Sequence, residues 1–93
     1  MNISELTIDE VLRSEDIESL FQHGAPENEY TPEVQGILKA LALMEEQDIT
    51  EERLIAIVQS VWVRMLGPFS EDEIEMRMPA FRKVAHRMLN THS

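Results

Sequence analysis

The sequence predicts an all-α fold, a compact bundle of four to five short helices packed around a central apolar helix at about residues 51–66. Apolar residues recur at helical spacings along the chain, and no stretch shows the sustained alternation typical of a strand. No Asn-Gly hairpin dipeptide occurs either. The 93 residues fit a single helical domain that spans residues 1–93.

The first predicted helix begins near Thr7. Thr7 and Glu10 have the spacing of a capping box, with Leu6 and Val11 placed as its hydrophobic staple. Ser14 is a second candidate N-cap, so residues 8–23 fit either one bent helix or two short ones. The sequence places Gly24 where a helix is expected to end in left-handed backbone.

The second helix is predicted to start with Thr31 as N-cap and Pro32 in the first helical position. It is expected to fade in the acidic segment 46–48. Gly36 lies inside this helix, where glycine costs about 1 kcal/mol relative to alanine in an exposed helix. We expect that close packing of another backbone, with the central loop as one candidate, offsets this cost.

The third helix is the predicted centre of the bundle. Thr50 is its expected N-cap, and Gly67 with Pro68 is expected to end it. Between Leu54 and Leu66, apolar residues cover more than half of the helix circumference. A helix with so wide an apolar surface belongs in a core.

The last segment is predicted to form two helices. Ser70 and Glu73 form a second capping box, which indicates a helix over 71–77. Pro79 then interrupts the pattern, and proline costs about 3 kcal/mol in a helix interior, so a new helix is expected from about 79. Trp62 is predicted to pack against the apolar face of this last helix, formed by Phe81, Val84, Ala85, Met88 and Leu89.

The net charge of −10 is unevenly distributed. Residues 1–48 carry twelve acids and two bases, whereas residues 77–93 carry four bases and no acid. The overall acidity argues against a nucleic-acid partner, since phosphate contacts need a basic surface. The C-terminal bases are expected to face the acidic N-terminal part, within the chain or across a symmetric dimer.

The composition predicts a cytoplasmic protein that does not enter a membrane. The chain has no cysteine, which excludes disulfides and thiolate metal sites and fits a reducing compartment. No secretory signal pattern is visible at the start, and the longest nearly uncharged run, 54–63, is too short to span a bilayer.

One run has a recognisable pattern: Asp16-Ile17, then Gly24-Ala25-Pro26-Glu27-Asn28-Glu29-Tyr30, then Glu33-Val34 and Ile37-Leu38. It resembles small bacterial helical proteins of the YugE-like domain of unknown function. The resemblance implies an all-α fold in a bacterial protein. It implies no activity and transfers no site residues.

The loop at residues 23–33 contains the side chains best suited to chemistry. His23, Glu27 and Glu29 could ligate a divalent metal, but no His-x-x-x-His or Glu-x-x-His helix pair accompanies them. The alternative is structural, with Tyr30 and Glu33 serving the start of the next helix. No nucleophile elbow presents a serine, and filled helix faces are expected to leave little room for a pocket of ~300 Å³. We therefore expect no enzyme, no cofactor and no metal site.

The sequence favours a non-catalytic protein–protein interaction or regulatory module, whose partner is another protein or a second copy of the chain. One alternative is an acidic immunity or inhibitor protein that binds a basic toxin. Another is a helical protein that binds a metal or small ligand through the loop at 23–33. The candidate partner-binding residues are Glu27, Glu29, Tyr30, Glu33, Arg82, Lys83 and Arg87.

Overall fold

Four α-helices form the part of the chain that the computed structural model describes, residues 3–18, 24 and 30–91. Helices α1 and α3 each contact both α2 and α4, so the helices surround a shared core in chain order. No strand occurs in the described residues, which confirms the all-α bundle, and none of these helices has the length and apolarity to cross a membrane. The helices are α1 (Glu5–Glu15), α2 (Thr31–Ala42), α3 (Glu51–Leu66) and α4 (Glu71–Thr91), with a 3₁₀ turn at Glu46–Asp48.

Three aromatic side chains form the centre of the core. Trp62 of α3 is fully buried, stacks on Tyr30 at a ring-centroid distance of 5.8 Å, and contacts Phe81 of α4 edge-on at 6.0 Å. The predicted contact between Trp62 and the last helix is therefore confirmed. Such aromatic pairs contribute about 0.5–1.5 kcal/mol each beyond the area that they bury. The aliphatic core around them comes from all four helices, including Ile8, Leu12, Ile37, Leu54, Val58 and Val84.

Helix α1 begins earlier than predicted, because Ser4 rather than Thr7 is its N-cap. The Ser4 hydroxyl accepts a hydrogen bond from the Thr7 amide at 3.1 Å. Starting at Ser4 places Ile3 and Ile8 at the two positions of a hydrophobic staple, and both are buried. Leu6, the staple residue expected for a start at Thr7, is largely exposed instead.

The helix also passes through Ser14 without a break. It ends at Glu15, and Asp16 adopts left-handed backbone with φ of 42° as its C-cap. Residues 17 and 18 form a turn. The predicted alternative of a second short helix concerns a segment whose residues 19–23 lie outside the described part. Gly24 has a φ of 84°, the left-handed conformation expected there.

Helix α2 starts one residue before its predicted start and ends about four residues before its predicted end. Thr31 is already helical and Tyr30 occupies the N-cap position without a side-chain capping bond, because the Tyr30 side chain is buried in the core. The helix ends at Ala42, and the acids expected to finish it form the 3₁₀ turn. Gly36 lies close to α3, as a Cβ there would stand 3.2 Å from Val61 Cγ1.

Helix α3 has the predicted boundaries. The Thr50 hydroxyl accepts a hydrogen bond from the Arg53 amide at 3.2 Å, which confirms Thr50 as the N-cap. Gly67 follows the helix with a negative φ, so left-handed backbone does not end it as glycine commonly does. Glycine is needed there for space, because a Cβ would collide with the carbonyl oxygen of Val63.

Helix α4 corrects the largest error in the sequence-based prediction, since it continues through Pro79 from Glu71 to Thr91. Its N-terminal capping box is confirmed: the Ser70 hydroxyl accepts from the Glu73 amide at 3.2 Å, and the Glu73 carboxylate accepts from the Ser70 amide at 3.1 Å. Pro79 is exposed to solvent. Packing on both sides of it, by Met78 and Phe81, offsets the missing hydrogen bond.

We predict that Pro79→Ala stabilises the protein by about 1–3 kcal/mol, because alanine restores a backbone hydrogen bond inside α4 and relieves the clash of the proline ring. Urea unfolding followed by circular dichroism measures the change in the free energy of unfolding. Pro32→Ala is the matched control, since Pro32 lies in the first turn of α2, where its missing amide costs little. An equal response of the two variants would show that Pro79 causes no strain in α4.

Candidate functional site

Five side chains meet between the end of α1 and the start of α2, next to α3 and α4. Asp16 and Glu18 follow α1, Tyr30 precedes α2, Trp62 belongs to α3 and Arg77 belongs to α4. Hydrogen bonds and a ring contact connect these residues, as described below. We refer to Asp16, Glu18, Tyr30, Trp62 and Arg77 as the loop anchor.

Tyr30 bonds the residues that follow α1 to the start of α2. Its hydroxyl donates to Asp16 Oδ1 at 2.7 Å and accepts a hydrogen bond from the Glu18 amide at 3.2 Å. The two ends of the segment are thereby joined across twelve to fourteen residues of chain. Only 1 % of Tyr30 is exposed, so the side chain that the sequence suggested for partner binding acts inside the fold.

Glu18 binds two helices through one carboxylate. Arg77 donates to it from two nitrogens, Nε to Oε1 at 2.6 Å and Nη2 to Oε2 at 2.9 Å, which is the bidentate geometry of strong arginine–carboxylate pairs. Trp62 Nε1 donates to Oε1 at 2.8 Å. The Arg77 guanidinium also lies over the Phe69 ring at 4.3 Å, a cation–π contact that orients it further.

These bonds change the acidity of the groups that make them. Hydrogen bonding by Arg77 lowers the pKa of Glu18, partial burial opposes this effect, and the bond from Trp62 adds to it. The hydrogen bond with Glu18 in turn raises the pKa of Arg77. A carboxylate with a lowered pKa is a poor proton acceptor at neutral pH, so Glu18 is suited to an ion pair and not to general-base chemistry.

The bases of α4 pair with acids of the N-terminal part inside the same chain. Arg87 Nη1 donates to Glu15 Oε2 at 2.7 Å, and Lys83 Nζ lies 3.7 Å from Glu15 Oε1. Together with the ion pair of Glu18 and Arg77, these contacts place C-terminal bases against N-terminal acids within one chain, which is one of the two predicted arrangements. Arg82 is exposed and forms no ion pair with the described residues.

The structure separates the residues predicted to bind a partner. Arg82 and Lys83 are exposed and Arg87 is half-buried, and Lys83 and Arg87 share Glu15. Tyr30 and Glu33 are buried at the start of α2, where Glu33 is only 4 % exposed. Glu27 and Glu29 lie outside the described residues.

A groove of about 520 Å³ lies at the corner where α2 ends, and the sequence did not predict it. The expectation of little room for a pocket was wrong, because α2 ends at Ala42 and the chain then turns away. Leu43 is not part of the lining and is 90 % exposed, and Glu45 and Asp48 follow it on the surface. This corner groove is lined by Ile3, Leu38, Leu41, Ala42, Met44 and Ile49, with Glu46 among them.

One sequence signal pointed to this region. Leu43 and Met44 extend the apolar run of α2 directly into the acids at 45–48.

A metal site receives no support from the described residues, which contain no group of three or more His, Asp or Glu side chains arranged to hold an ion. His23, Glu27 and Glu29 lie outside them. The hypothesis of a metal or small ligand at the 23–33 loop therefore stays a prediction. Titration with zinc and manganese, followed by calorimetry, tests it.

We predict that Glu18→Gln lowers the free energy of unfolding by about 1–3 kcal/mol at neutral pH, because it removes a charged partner from two hydrogen bonds of Arg77. Urea unfolding measures the loss. Glu75→Gln is the matched control, since Glu75 is an exposed acid on α4 and its substitution changes the net charge equally. Equal effects of the two variants would rule out a specific contribution from Glu18.

The Glu18 pair also predicts a pH dependence. Because the pKa of Glu18 is lower in the folded chain than its ordinary value of 4.5, the pair stabilises the fold fully above that value. This stabilisation is lost as the pH falls through the folded pKa. The difference in unfolding free energy between wild type and Glu18→Gln should therefore shrink toward low pH. A constant difference over the acidic range would contradict an ionised Glu18 in the fold.

We predict that Tyr30→Phe lowers the free energy of unfolding by about 1–3 kcal/mol while the ring stack on Trp62 is retained. The substitution removes the hydroxyl that joins Asp16 to the Glu18 amide. Amide hydrogen exchange should show faster exchange at Glu18, whose amide loses its acceptor. Unchanged exchange there would show that the hydroxyl does not protect the Glu18 amide.

Comparison of the chain with protein-family models, with curated proteins and with solved structures finds no match. The resemblance to the YugE-like domain of unknown function accordingly stays a prediction. The geometry of the loop anchor and of the corner groove is the basis for the functional proposal.

Proposed function

We propose that this protein is a non-catalytic protein–protein interaction or regulatory module of the bacterial cytoplasm. The observation that carries the proposal is the corner groove, a depression of about 520 Å³ lined by six apolar side chains and Glu46. Its partner is another protein or a second copy of the chain. The loop anchor maintains the fold that presents the groove.

Exposed apolar surface of this kind favours binding. A single exposed leucine is ordinary, but Leu43 lies in the chain between Ala42 and Met44, which line a concave surface with four other apolar side chains. Covering such a surface removes apolar area from water at about 25 cal/mol per Å². A protein partner that buries Leu43 and the groove together would gain this free energy.

The loop anchor supports a non-catalytic role. Its carboxylates and its arginine are engaged in bonds that join the helices, and the pKa of Glu18 is shifted away from the neutral range. Catalytic acids and bases are typically tuned toward the working pH. A lowered carboxyl pKa is the opposite of that tuning.

The second candidate is an acidic immunity or inhibitor protein that binds a basic toxin, and the surface charge favours it. The ion pairs of α4 bases with Glu15 and Glu18 leave many other acids on the surface. Acidic surfaces of this kind speed association with basic partners. The exposed acids include Glu10, Glu45, Asp48, Glu52, Glu71, Asp72 and Glu75.

Affinity capture from a lysate of the source organism, followed by calorimetric titration of the purified partner, tests the proposal. An interaction module should bind one protein saturably, with an affinity that changes little between low and high salt if the apolar groove dominates. A steep loss of affinity with salt, together with a strongly basic partner encoded beside this protein, would favour the immunity or inhibitor function. The proposal is wrong if no protein binds saturably and sedimentation also shows only monomers.

A further inference from the structure

A surface groove runs between α2 and α3, and we refer to it as the α2–α3 groove. It has a volume of about 250 Å³ and continues across α3 into a second depression that shares Ala56, Ser60 and Arg64 with it. Two arginines of α3, Arg53 and Arg64, belong to its lining. The other side chains of the lining are small or apolar: Ala40, Met44, Ala56, Ile57, Ser60 and Val61.

The two arginines lie at opposite ends of the α3 side of this groove. They are eleven positions apart, which places them on one side of the helix and about 16 Å apart along its axis. Arg64 extends toward α2, because its Nη2 atom would lie 3.4 Å from a Cβ added to Gly36. Its guanidinium group therefore lies against α2 at the edge of the groove.

These two arginines are exposed, and neither forms an ion pair with the described residues. This is notable because the chain has 18 acids and only eight lysines and arginines. Most of the other bases find a carboxylate in the same chain. The bases that do so are Arg13, Arg77, Lys83 and Arg87.

The charge presented by the groove is positive. No acid among the described residues belongs to its lining, and exposed Lys39 directly precedes the lining residue Ala40. Two acids are adjacent to lining residues in the chain, Glu45 after Met44 and Glu52 before Arg53, but neither lines the groove. A partner in the groove would therefore contact two positive charges and no negative one.

We propose that the α2–α3 groove binds an acidic segment of a protein partner, with two carboxylates about 16 Å apart and small or apolar side chains between them. Carboxylates at this spacing reach both arginines, each of which presents its donors in the fork geometry that a carboxylate accepts. The inference adds a surface that shares only Met44 with the corner groove. It rests on the proposed function in one respect, that the partner is a protein.

Other occupants fit the charges less well. A twofold-symmetric dimer places the same patch on both sides of its interface, so arginines would face arginines without an acid between them. A single small anion is too short to contact both guanidinium groups. A nucleic acid extends beyond the groove and is repelled by the net charge of −10. A short acidic segment avoids most of this repulsion, because the Debye length is about 8 Å at physiological ionic strength.

Two helical peptides of equal length and charge measure the spacing, because a helix rises about 1.5 Å per residue. The first carries Glu at i and i+11 with Leu at i+7, on an alanine background. The second carries Glu at i and i+4 with the same Leu, so it reaches only one arginine at a time. Calorimetry and amide chemical shifts should show that the first peptide binds and shifts the amides of residues 40–44 and 53–64. The second should bind about threefold or more weakly.

Substitution of the arginines shows whether the first peptide binds in the groove. Arg53→Gln and Arg64→Gln each remove one contact at an exposed position and should weaken binding about threefold or more. Arg82→Gln is the matched control, since Arg82 is an exposed arginine of α4 without an ion pair to the described residues, and its loss changes the net charge equally. This control should change the affinity by less than about 1.5-fold. Equal effects of the three variants would mean that the peptide responds only to net charge, and the inference would be overturned.

Other outcomes overturn the inference while leaving the proposed function intact. One is a natural protein partner that binds the double variant, Arg53→Gln with Arg64→Gln, as tightly as the wild type. Another is a single-stranded oligonucleotide that binds the groove more tightly than the first peptide. Equal binding of the two peptides, or no shift of the groove amides by either, would also contradict it. The proposed function fails separately, if no protein binds the wild type and the chain does not self-associate.

Discussion

The structure depends on one carboxylate, that of Glu18, which is shared between Arg77 and the indole nitrogen of Trp62. Burying a tryptophan requires a partner for its N–H, and a partly buried carboxylate requires donors for its oxygens. Each group satisfies the other, and Arg77 balances the charge. Because the ring of Trp62 also contacts Tyr30 and Phe81, the same group links the aromatic core to the ion pair. The turn after α1 is thereby bonded to α3 and α4 at once.

This arrangement also determines which charges reach the surface. Arg77 and Arg87 neutralise Glu18 and Glu15 inside the chain, so the strongly acidic N-terminal part is partly balanced where it contacts α4. The acids at 45–48 are far along the chain from these pairs and lie beside the corner groove. The groove therefore combines six apolar lining side chains with negative charge from Glu46 and from its neighbours in the chain, Glu45 and Asp48.

The groove itself results from a local departure from helical regularity. Helix α2 ends at Ala42 and a 3₁₀ turn follows at Glu46–Asp48. Leu43 lies four residues after exposed Lys39, so this leucine continues the solvent-facing side of α2 while Leu41 and Met44 pack toward the core. Natural sequences satisfy local rules almost everywhere, and positions that break them without a structural benefit are candidates for function. Leu43 is such a position. The continuous α4 is a different case, because core packing around Pro79 compensates for the broken rule.

The sequence by itself determined the features that depend on neighbouring residues. The caps at Thr50 and at Ser70 with Glu73, the bounds of α3 and the apolar faces of the helices all follow from local hydrogen bonding and helical spacing. Tertiary structure decided the rest. Burial of Ile3 selected Ser4 over Thr7 as the first cap, and burial of Tyr30 determined where α2 begins. The bonds of Glu18 join residues 44 and 59 positions apart, and no local pattern specifies such partners. A single local feature, such as a helix cap or an interior proline, changes the free energy of folding by about 1–3 kcal/mol. Packing of a shared core can therefore override any one of these local preferences.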